Sequence, residues 1–334
     1  MLATKSATRS KPGSKPATPI GEALRAGIPL KGNLRVECDG HILALTNLQK
    51  VYWPGDGYTK GDVLRYYYNT AKLLLPYLKD RPLILKRYPN GITKPFFYQH
   101  NLEDPPDFVR TKLIHSSDGD VHYALADDVA SLLYLVNLGT IAQNPFHSRL
   151  ENLHHPDYIV FDLDPEKDVT FKTVCKVALL VKNVLEGIGL KAYPKTSGST
   201  GIHLYVPIKA EFTYSEIVPF AKEIARIAAN RQPLIATIER MTRNRKKTQV
   251  YIDYLQNIEG KTIASAYSIR EKVGAPVSAP LDWKELTKSI SIEDFNIENI
   301  AARIRRKGDL FADVLKKKQS LKRAMKAIAS GKIN

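Results

Sequence analysis

Two carboxylates, Asp162 and Asp164, close the apolar run YIVFDLDP at 158–165, and a third, Asp253, closes QVYIDY at 249–254. Alternation along a strand puts residues i and i+2 on one side, so Asp162 and Asp164 share a face. Carboxylates 4 Å apart repel by about 4 kcal/mol per pair at an effective dielectric of ~20. Raised pKa values, basic neighbours or divalent cations can offset that repulsion. All-oxygen ligation suits Mg²⁺ or Mn²⁺ rather than zinc, and a pair of such ions suits in-line phosphoryl transfer. His203 lies on IHLYVPI at 202–208, just after the turn SGSTG, where Ser197, Ser199 and the glycines would let backbone N–H groups approach an anion. Lys86, Arg87, Lys246 and Arg270 are the candidate positive charges. A lone DxD is more often a solvated strand end, so the reading depends on whether Asp253 reaches the same face.

The periodicity from residue 158 onward supplies that condition. Strand 158–164 precedes a helix at 171–188, where Val174, Val177, Ala178, Val181, Val184, Leu185 and Ile188 recur at helical spacing before Gly189. Strands at 190–196 and 202–208, a helix at 214–229 and a strand at 249–254 complete a β-α-β-β-α-β order, the split ferredoxin-like arrangement. In it the first strand is central, flanked by the third and fourth, with both helices on one face and the other face open. Ile159, Phe161 and Leu163 then point to the helices, as do Ile202, Leu204, Val206, Val250 and Ile252. Asp162, Asp164, His203, Tyr205 and Asp253 point away, and strands about 4.8 Å apart bring them into one patch.

Upstream, a helix capped at Thr59 carries Tyr66, Tyr67, Leu73, Leu74 and Leu78 as its apolar stripe. LILKRY at 83–88 reads as a strand and DDVASLLYLVNLGT at 127–140 as a buried helix with an acidic cap. The fold class is α+β, with an N-terminal module over 21–155 and the split sheet over 156–310. Residues 1–20 read as a disordered basic tail, and 311–334 as a basic, partly helical end. Fifty Lys and Arg against thirty-four Asp and Glu give a formal charge of +16 over 334 residues. That excess points to a polyanionic partner, nucleic acid first. No run of 18 apolar residues predicts a membrane span. Cys38 and Cys175, far apart and without metal spacing, read as inert buried thiols.

FDLDP at 161–165, SGSTGIHLYVP at 197–207 and VYIDYLQN at 250–257 resemble the motifs of archaeo-eukaryotic primase-polymerases, above all the polymerase domains of bacterial ligase D and their free-standing relatives. LTNLQKVYWPGDGYTKGD, LKRYPNGITKPFF, NLGTIAQNPFHSR and AYSIREKVGAPVSAPLDW extend the resemblance from about residue 40 over nearly the whole chain. The resemblance implies a primase-like catalytic core and a template-directed nucleotidyltransferase that fills short gaps or extends broken DNA ends, often with ribonucleotides and manganese. By it, Asp162, Asp164 and Asp253 hold Mn²⁺ or Mg²⁺. Ser197, Ser199, His203, Arg270, Lys86 and Gln256 serve the incoming nucleoside triphosphate, while Phe96, Phe97 and Lys246 meet the template, aromatic faces stacking without regard to sequence. Asn47, Lys50 and Lys60 match a pocket for the 5′-phosphate across a gap, and two lysines with an amide form a reasonable anion site. The chain departs at Thr200, where relatives often carry Lys, at Asn144, where His is common, and at Lys246, where Arg is common.

The resemblance also implies a separate DNA ligase and the end-binding protein Ku as partners, in a prokaryotic, nucleoid-associated cytoplasmic setting. The alternatives are an end- or 5′-phosphate-binding module without polymerase activity, which the full set of aspartates argues against, and a primase that starts chains de novo. A glycosyltransferase also uses DxD, but the charge and the strand order disfavour it.

Overall fold

The computed structural model describes residues 17–25, 27–116 and 119–331. Most of the expected tail, residues 1–16, lies outside the described residues. Its end is not tail: Thr18–Pro19 (β1) pairs in parallel with Leu34–Cys38 (β2), with Ile20–Ala23 (α1) between them. The reason is apolar burial, since Ile20 and Leu24 both enter the core. His41–Leu45 (β3) completes this small sheet in the order β1-β2-β3.

Lys60–Leu78 (α2) starts at Thr59 through a capping box, in which Asp62 N–H donates to the Thr59 hydroxyl and Thr59 N–H donates to the Asp62 carboxylate. Tyr66, Tyr67, Leu74 and Leu78 are buried along it, as the spacing predicts, and Leu73 is half-buried. A second sheet follows, formed by Leu83–Arg87 (β4), Phe97–Gln99 (β5), Thr111–Ser116 (β6) and Gly119–Ala124 (β7) in the order β5-β4-β7-β6. The helix expected over 127–140 is shorter, Val129–Asn137 (α3), capped by Asp128. Gly139, at a φ of 95°, turns the chain, and Thr140–Pro145 (β8) then pairs with β4. A Cβ there would meet the Pro89 backbone at 3.2 Å.

The predicted split sheet is present. Tyr158–Pro165 (β9), Phe171–Gly187 (α4), Tyr193–Thr196 (β10), Ile202–Pro207 (β11), Tyr214–Arg231 (α5) and Val250–Asp253 follow the expected order. A short strand, Ala236–Thr237 (β12), precedes Val250–Asp253 (β13) and pairs with it in parallel at the edge, giving β10-β11-β9-β13-β12. Ile159, Phe161, Leu163, Ile202, Leu204, Val206, Val250 and Ile252 are all fully buried beneath α4 and α5.

The other face is not open, contrary to expectation. Residues 263–281 cross it: Lys195 bridges to Pro280, and the Lys195 ammonium reaches Ala264 O and Ser278 Oγ. Tyr158 and Tyr205 pack together there, and Phe311 closes on Tyr205. The N-terminal module is tied to the same cover, with Tyr66 Oη donating to Tyr267 O at 2.7 Å and Trp53 Nε1 to Lys272 O at 2.7 Å. At the acidic end of the face Asp162 and Asp253 stay half-buried and Asp164 exposed.

The chain ends in Ile300–Lys307 (α6), Ala312–Lys316 (α7) and Lys322–Ala329 (α8). These are less solvated than expected, because Ile300, Val314, Leu321 and Ala324 are buried. No helix among the described residues is long and apolar enough to cross a membrane. Cys38 and Cys175 are buried and unbridged, and burial pushes their thiols up to about 12 and about 11.

Candidate active site

Strand register assembles the acidic end. Asp162 on β9 lies opposite His203 on β11 and, on its other side, opposite Asp253 on β13. His203 Nε2 stands 3.4 Å from Asp162 Oδ1. The Asp162 side chain is 19% exposed, and burial, then the charges of Asp164 and Asp253, push its carboxyl up to about 8. Asp164 is also raised, chiefly by burial and against the pull of Arg245. Asp253 is turned toward its own segment, accepting from Tyr251 Oη at 3.1 Å and Leu255 N at 2.9 Å, with Gln256 Nε2 at 3.5 Å. Among the described residues no three ligand-type side chains already gather into a metal cluster. The donor chemistry nevertheless fits a hard divalent cation: the groups are oxygen-only, and burial together with neighbouring carboxylates raises Asp162 and Asp164, a strain such an ion relieves.

Beside them the SGSTG turn folds around Ser197. Its hydroxyl accepts from Ser199 N at 3.1 Å and Gly201 N at 3.0 Å, so Ser197 is buried as the organiser of the turn, whereas Ser199 is half-buried and Thr200 exposed. Arg270 Nη1 donates to Ser197 O at 2.6 Å. A cavity of about 380 Å³, lined in part by Ser199, Thr200, Lys272 and Asn296, opens next to the turn and keeps it reachable from solvent. Gly201 is required by close approach: a Cβ there would sit 2.1 Å from Leu163 O. Gly201→Ala must therefore push β9 and β11 apart next to Asp162, at a cost of about 3 kcal/mol. Thermal unfolding should show the loss, and an unchanged melting temperature would contradict this packing.

Sequence reasoning missed Lys195. It is 0% exposed, and its Nζ lies 2.7 Å from His203 Nδ1. Burial, then Arg270, holds its pKa well below the ordinary lysine value, and burial with Lys195 and Arg270 lowers that of His203. A lysine in a short strand of alternating pattern carries no local mark of burial. Arg245, also missed, is the cation whose charge pulls most on Asp164: its Nη1 pairs with Glu166 at 3.2 Å, and its guanidinium lies 4.0 Å from the Tyr251 ring centroid. Lys246 next to it is exposed.

Lys86 is brought between Tyr88, Phe96 and Tyr98, 4.3 Å from the Phe96 ring centroid, and pairs with Glu271 at 2.5 Å. Burial opposes its charge, but hydrogen bonds to Glu271 and Tyr88 prevail and raise its pKa. Glu271 also faces Arg270 Nε at 3.6 Å, which links Lys86 to the serine turn. Phe96 and Phe97 are 47% and 45% exposed, so they are not core residues. Asn144 lies on β8 opposite Ile84 and donates to Ala142 O at 3.2 Å.

Asn47, Lys50 and Lys60 form a separate basic corner. Lys60 N–H donates to Lys50 O, and Lys60 Nζ contacts Thr46 Oγ1 at 3.3 Å. Lys50 Nζ donates to Pro89 O and Asn90 Oδ1, and Asn47, at a φ of 54°, donates from its backbone to Asn33. Lys60 is only 4% exposed, and burial, then Lys50 and Arg87, pushes its ammonium down to about 8. Lys50, Lys60 and Arg87, none of them in an ion pair with a carboxylate among the described residues, crowd into a site that an anion would relieve.

A split β-α-β-β-α-β sheet with two aspartates on its central strand and a third on the neighbour defines a nucleotidyltransferase of the primase-polymerase class. The family model for the LigD primase-polymerase domain matches residues 59–311, and the chain belongs to that family. It is 36% identical over 281 residues to the bifunctional non-homologous end joining protein LigD of Bacillus subtilis, covering 83% of this chain and 45% of that protein. It is 28% identical to the multifunctional non-homologous end joining protein LigD of Pseudomonas aeruginosa, covering 93% of this chain and 38% of the relative. The chain thus spans less than half the length of these relatives. Among solved structures, the polymerase domain of Mycobacterium tuberculosis ligase D in complex with DNA superposes with a TM-score of 0.78 at 29% identity, covering 83% of this chain and 99% of that one.

Proposed function

We propose that this chain is a template-directed polymerase that fills short gaps or extends broken DNA ends during end joining, with ribonucleotides as preferred substrates. The observation that carries the reading is the register that places Asp162 between His203 and Asp253 at the accessible end of the sheet. Mn²⁺ or Mg²⁺ held by Asp162, Asp164 and Asp253 would supply charge neutralisation at the attacking 3′-hydroxyl and the triphosphate. In the reaction the 3′-hydroxyl gives up its proton to solvent, its oxygen bonds to the α-phosphorus as the α–β bridging bond breaks, and pyrophosphate leaves. The Ser197–Gly201 turn, His203 and Arg270 hold the triphosphate, and Lys86 and Gln256 lie by the nucleotide. Exposed Phe96 and Phe97 stack on the template at the break. A separate DNA ligase would seal the product and Ku would bring the ends, both partners being implied by the family resemblance alone.

In the same reading Asn47, Lys50 and Lys60 take the 5′-phosphate on the far side of the gap. Charge-assisted hydrogen bonds to a phosphate are worth about 1.5–3 kcal/mol, so Lys60→Met should weaken binding of a 5′-phosphorylated gap by roughly tenfold or more. The effect on a 5′-hydroxyl gap should be small. Because the free Lys60 ammonium titrates at about 8, wild-type preference for the phosphate should be largest near neutrality and fall as pH rises through that value. Fluorescence anisotropy with both gaps from pH 7 to about 9.5 tests this. Equal affinity for the two gaps at pH 7 would remove the pocket from the account, and gap binding without nucleotide incorporation would indicate an end-binding module.

A further inference from the structure

The end of the split sheet opposite Asp162 carries a second concentration of charge. Tyr158 faces Pro207 across β9 and β11, and Ile208 N donates to Asp157 O just beyond them, about 16 Å along β9 from Asp162 at ~3.3 Å per residue. Gln319 gathers separate segments here. Its side chain accepts from Lys191 N at 2.7 Å and donates to Lys191 O at 2.9 Å and Pro207 O at 3.1 Å, while its backbone O accepts from Lys209 N at 2.9 Å. Lys318, beside it, reaches Asp157 at the root of β9. The segments 149–157, 189–191, 207–211 and 312–326 carry nine Lys and Arg against four Asp and Glu, so this end is strongly positive.

The acids do not cancel that excess. Asp157 is shared by Arg81, Arg149 and Lys318, Asp313 pairs with Lys317 at 2.8 Å, and Glu211 lies 3.9 Å from Lys322. Lys191, Lys209, Lys316 and Arg323 are exposed and make no ion pair among the described residues. Burial of Leu321 and Ala324 turns Lys322, Arg323 and Lys326 of α8 to solvent. A hollow of about 290 Å³, lined in part by Arg149, Lys209, Lys318 and Glu151, opens among these cations.

The chemistry of the surface selects its partner. The cations come from separate segments, so an extended polyanion meets them together, whereas a free phosphate would reach only the hollow. The four segments contain no Phe, Tyr or Trp, which leaves nothing on which unpaired bases could stack. None of the large exposed hydrophobic side chains lies on them either, unlike the centre of a protein interface. What such a surface can hold is the phosphate backbone of a duplex, without regard to sequence. We propose that this end of the sheet is a second duplex-binding surface, independent of gaps and ends, so that one chain holds two duplexes at once. The duplex at the acidic end belongs to the polymerase reading; the one bound here does not depend on it.

The probe is a fluorescent duplex whose two ends are closed by ethylene-glycol linkers, which offers no 3′-hydroxyl, no gap and no 5′-phosphate. The whole chain should bind it in anisotropy measurements with an affinity that falls as salt rises. Replacing Lys191, Lys209, Lys316 and Arg323 together by Gln should weaken this binding roughly tenfold or more and make the slope of log K against log salt shallower by about 3–4, at ~0.9 per phosphate contact. The charge-preserving set, Lys to Arg at the first three and Arg323→Lys, should restore it, and circular dichroism should show both variants folded. Wild-type chain loaded on an immobilised gapped duplex with a 5′-phosphate should capture the closed duplex, and the Gln variant should hold the gapped duplex without capturing the other. Equal binding of the closed duplex by wild type and the Gln variant would overturn the proposal. So would one-for-one displacement of the gapped duplex by the closed one, which would mean a single shared site. Poly-glutamate bound in preference to the closed duplex would overturn the assignment to nucleic acid.

Discussion

Replacing Asp162 by Ala is expected to reduce templated nucleotide incorporation by roughly a thousandfold or more while leaving the fold and DNA binding in place. Asp162 is the residue on which the site converges, since it lies opposite both His203 and Asp253 and two positions from Asp164. Electrostatic stabilisation of phosphoryl transfer by carboxylate-held cations is worth several kcal/mol, and each ~1.4 kcal/mol is a factor of ten in rate. The substitution also removes one of the repelling carboxylates, so stability should not fall as it would for a structural ion pair. Single-turnover incorporation on a gapped duplex, with circular dichroism on the same samples, measures both effects. A variant that retains more than about a tenth of wild-type activity would show that Asp162 is not at the reacting centre.

The second large effect is on stability and lies away from the site. Asp157, directly before β9, accepts from Arg81 at 2.5 Å, Lys318 at 3.1 Å and Arg149 at 3.3 Å, and Arg81 is itself 1% exposed. This cluster ties the N-terminal module and the C-terminal segment to the root of the catalytic strand. Asp157→Asn leaves a buried guanidinium with no counter-charge, which costs about 3–5 kcal/mol. At roughly 2 °C per kcal/mol for a chain of this size, the melting temperature should drop on the order of 5–10 °C. A change within about one degree would contradict the account.

The same cluster predicts an acid dependence. Burial alone would raise the Asp157 carboxyl, but Arg81, Lys318 and Arg149 prevail and hold it well below its ordinary value of 3.8. A folded-state pKa below the unfolded one means that the unfolded chain binds the proton first. The cluster's stabilisation is therefore fully present above the unfolded value and is lost as pH falls toward the folded one. The stability deficit of Asp157→Asn should accordingly be constant near neutrality and narrow only in acid.

The catalytic module was legible because its elements carry strong periods. The helical spacing of Val174 to Leu185 and the alternation of YIVFDLDP allow only one arrangement of faces, and the strand order puts Asp253 beside Asp162. The cover over residues 263–281 was not legible, since a segment held by side chains from α2 and by single bridges has no period of its own. Short strands such as β5 and β8 were missed for the same reason, and Gly139 ended α3 earlier than its apolar run suggested. Lys195 and Arg245 look in sequence like any surface base. What distinguishes them is the tertiary neighbourhood, Ser278 and Ala264 for one, Tyr251 and Glu166 for the other. Phe96 and Phe97 were pulled outward against their hydrophobicity, which composition alone assigns to a core.

The most direct test of the central claim uses a duplex with a one-nucleotide gap and a 5′-phosphate, the wild-type chain, and each of the four nucleoside triphosphates in turn with Mn²⁺ or Mg²⁺. The account predicts a one-nucleotide extension of the primer, selective for the triphosphate complementary to the template base, abolished by a chelator and faster with ribonucleotides. A folded chain that binds this substrate yet adds no nucleotide with either cation would contradict it.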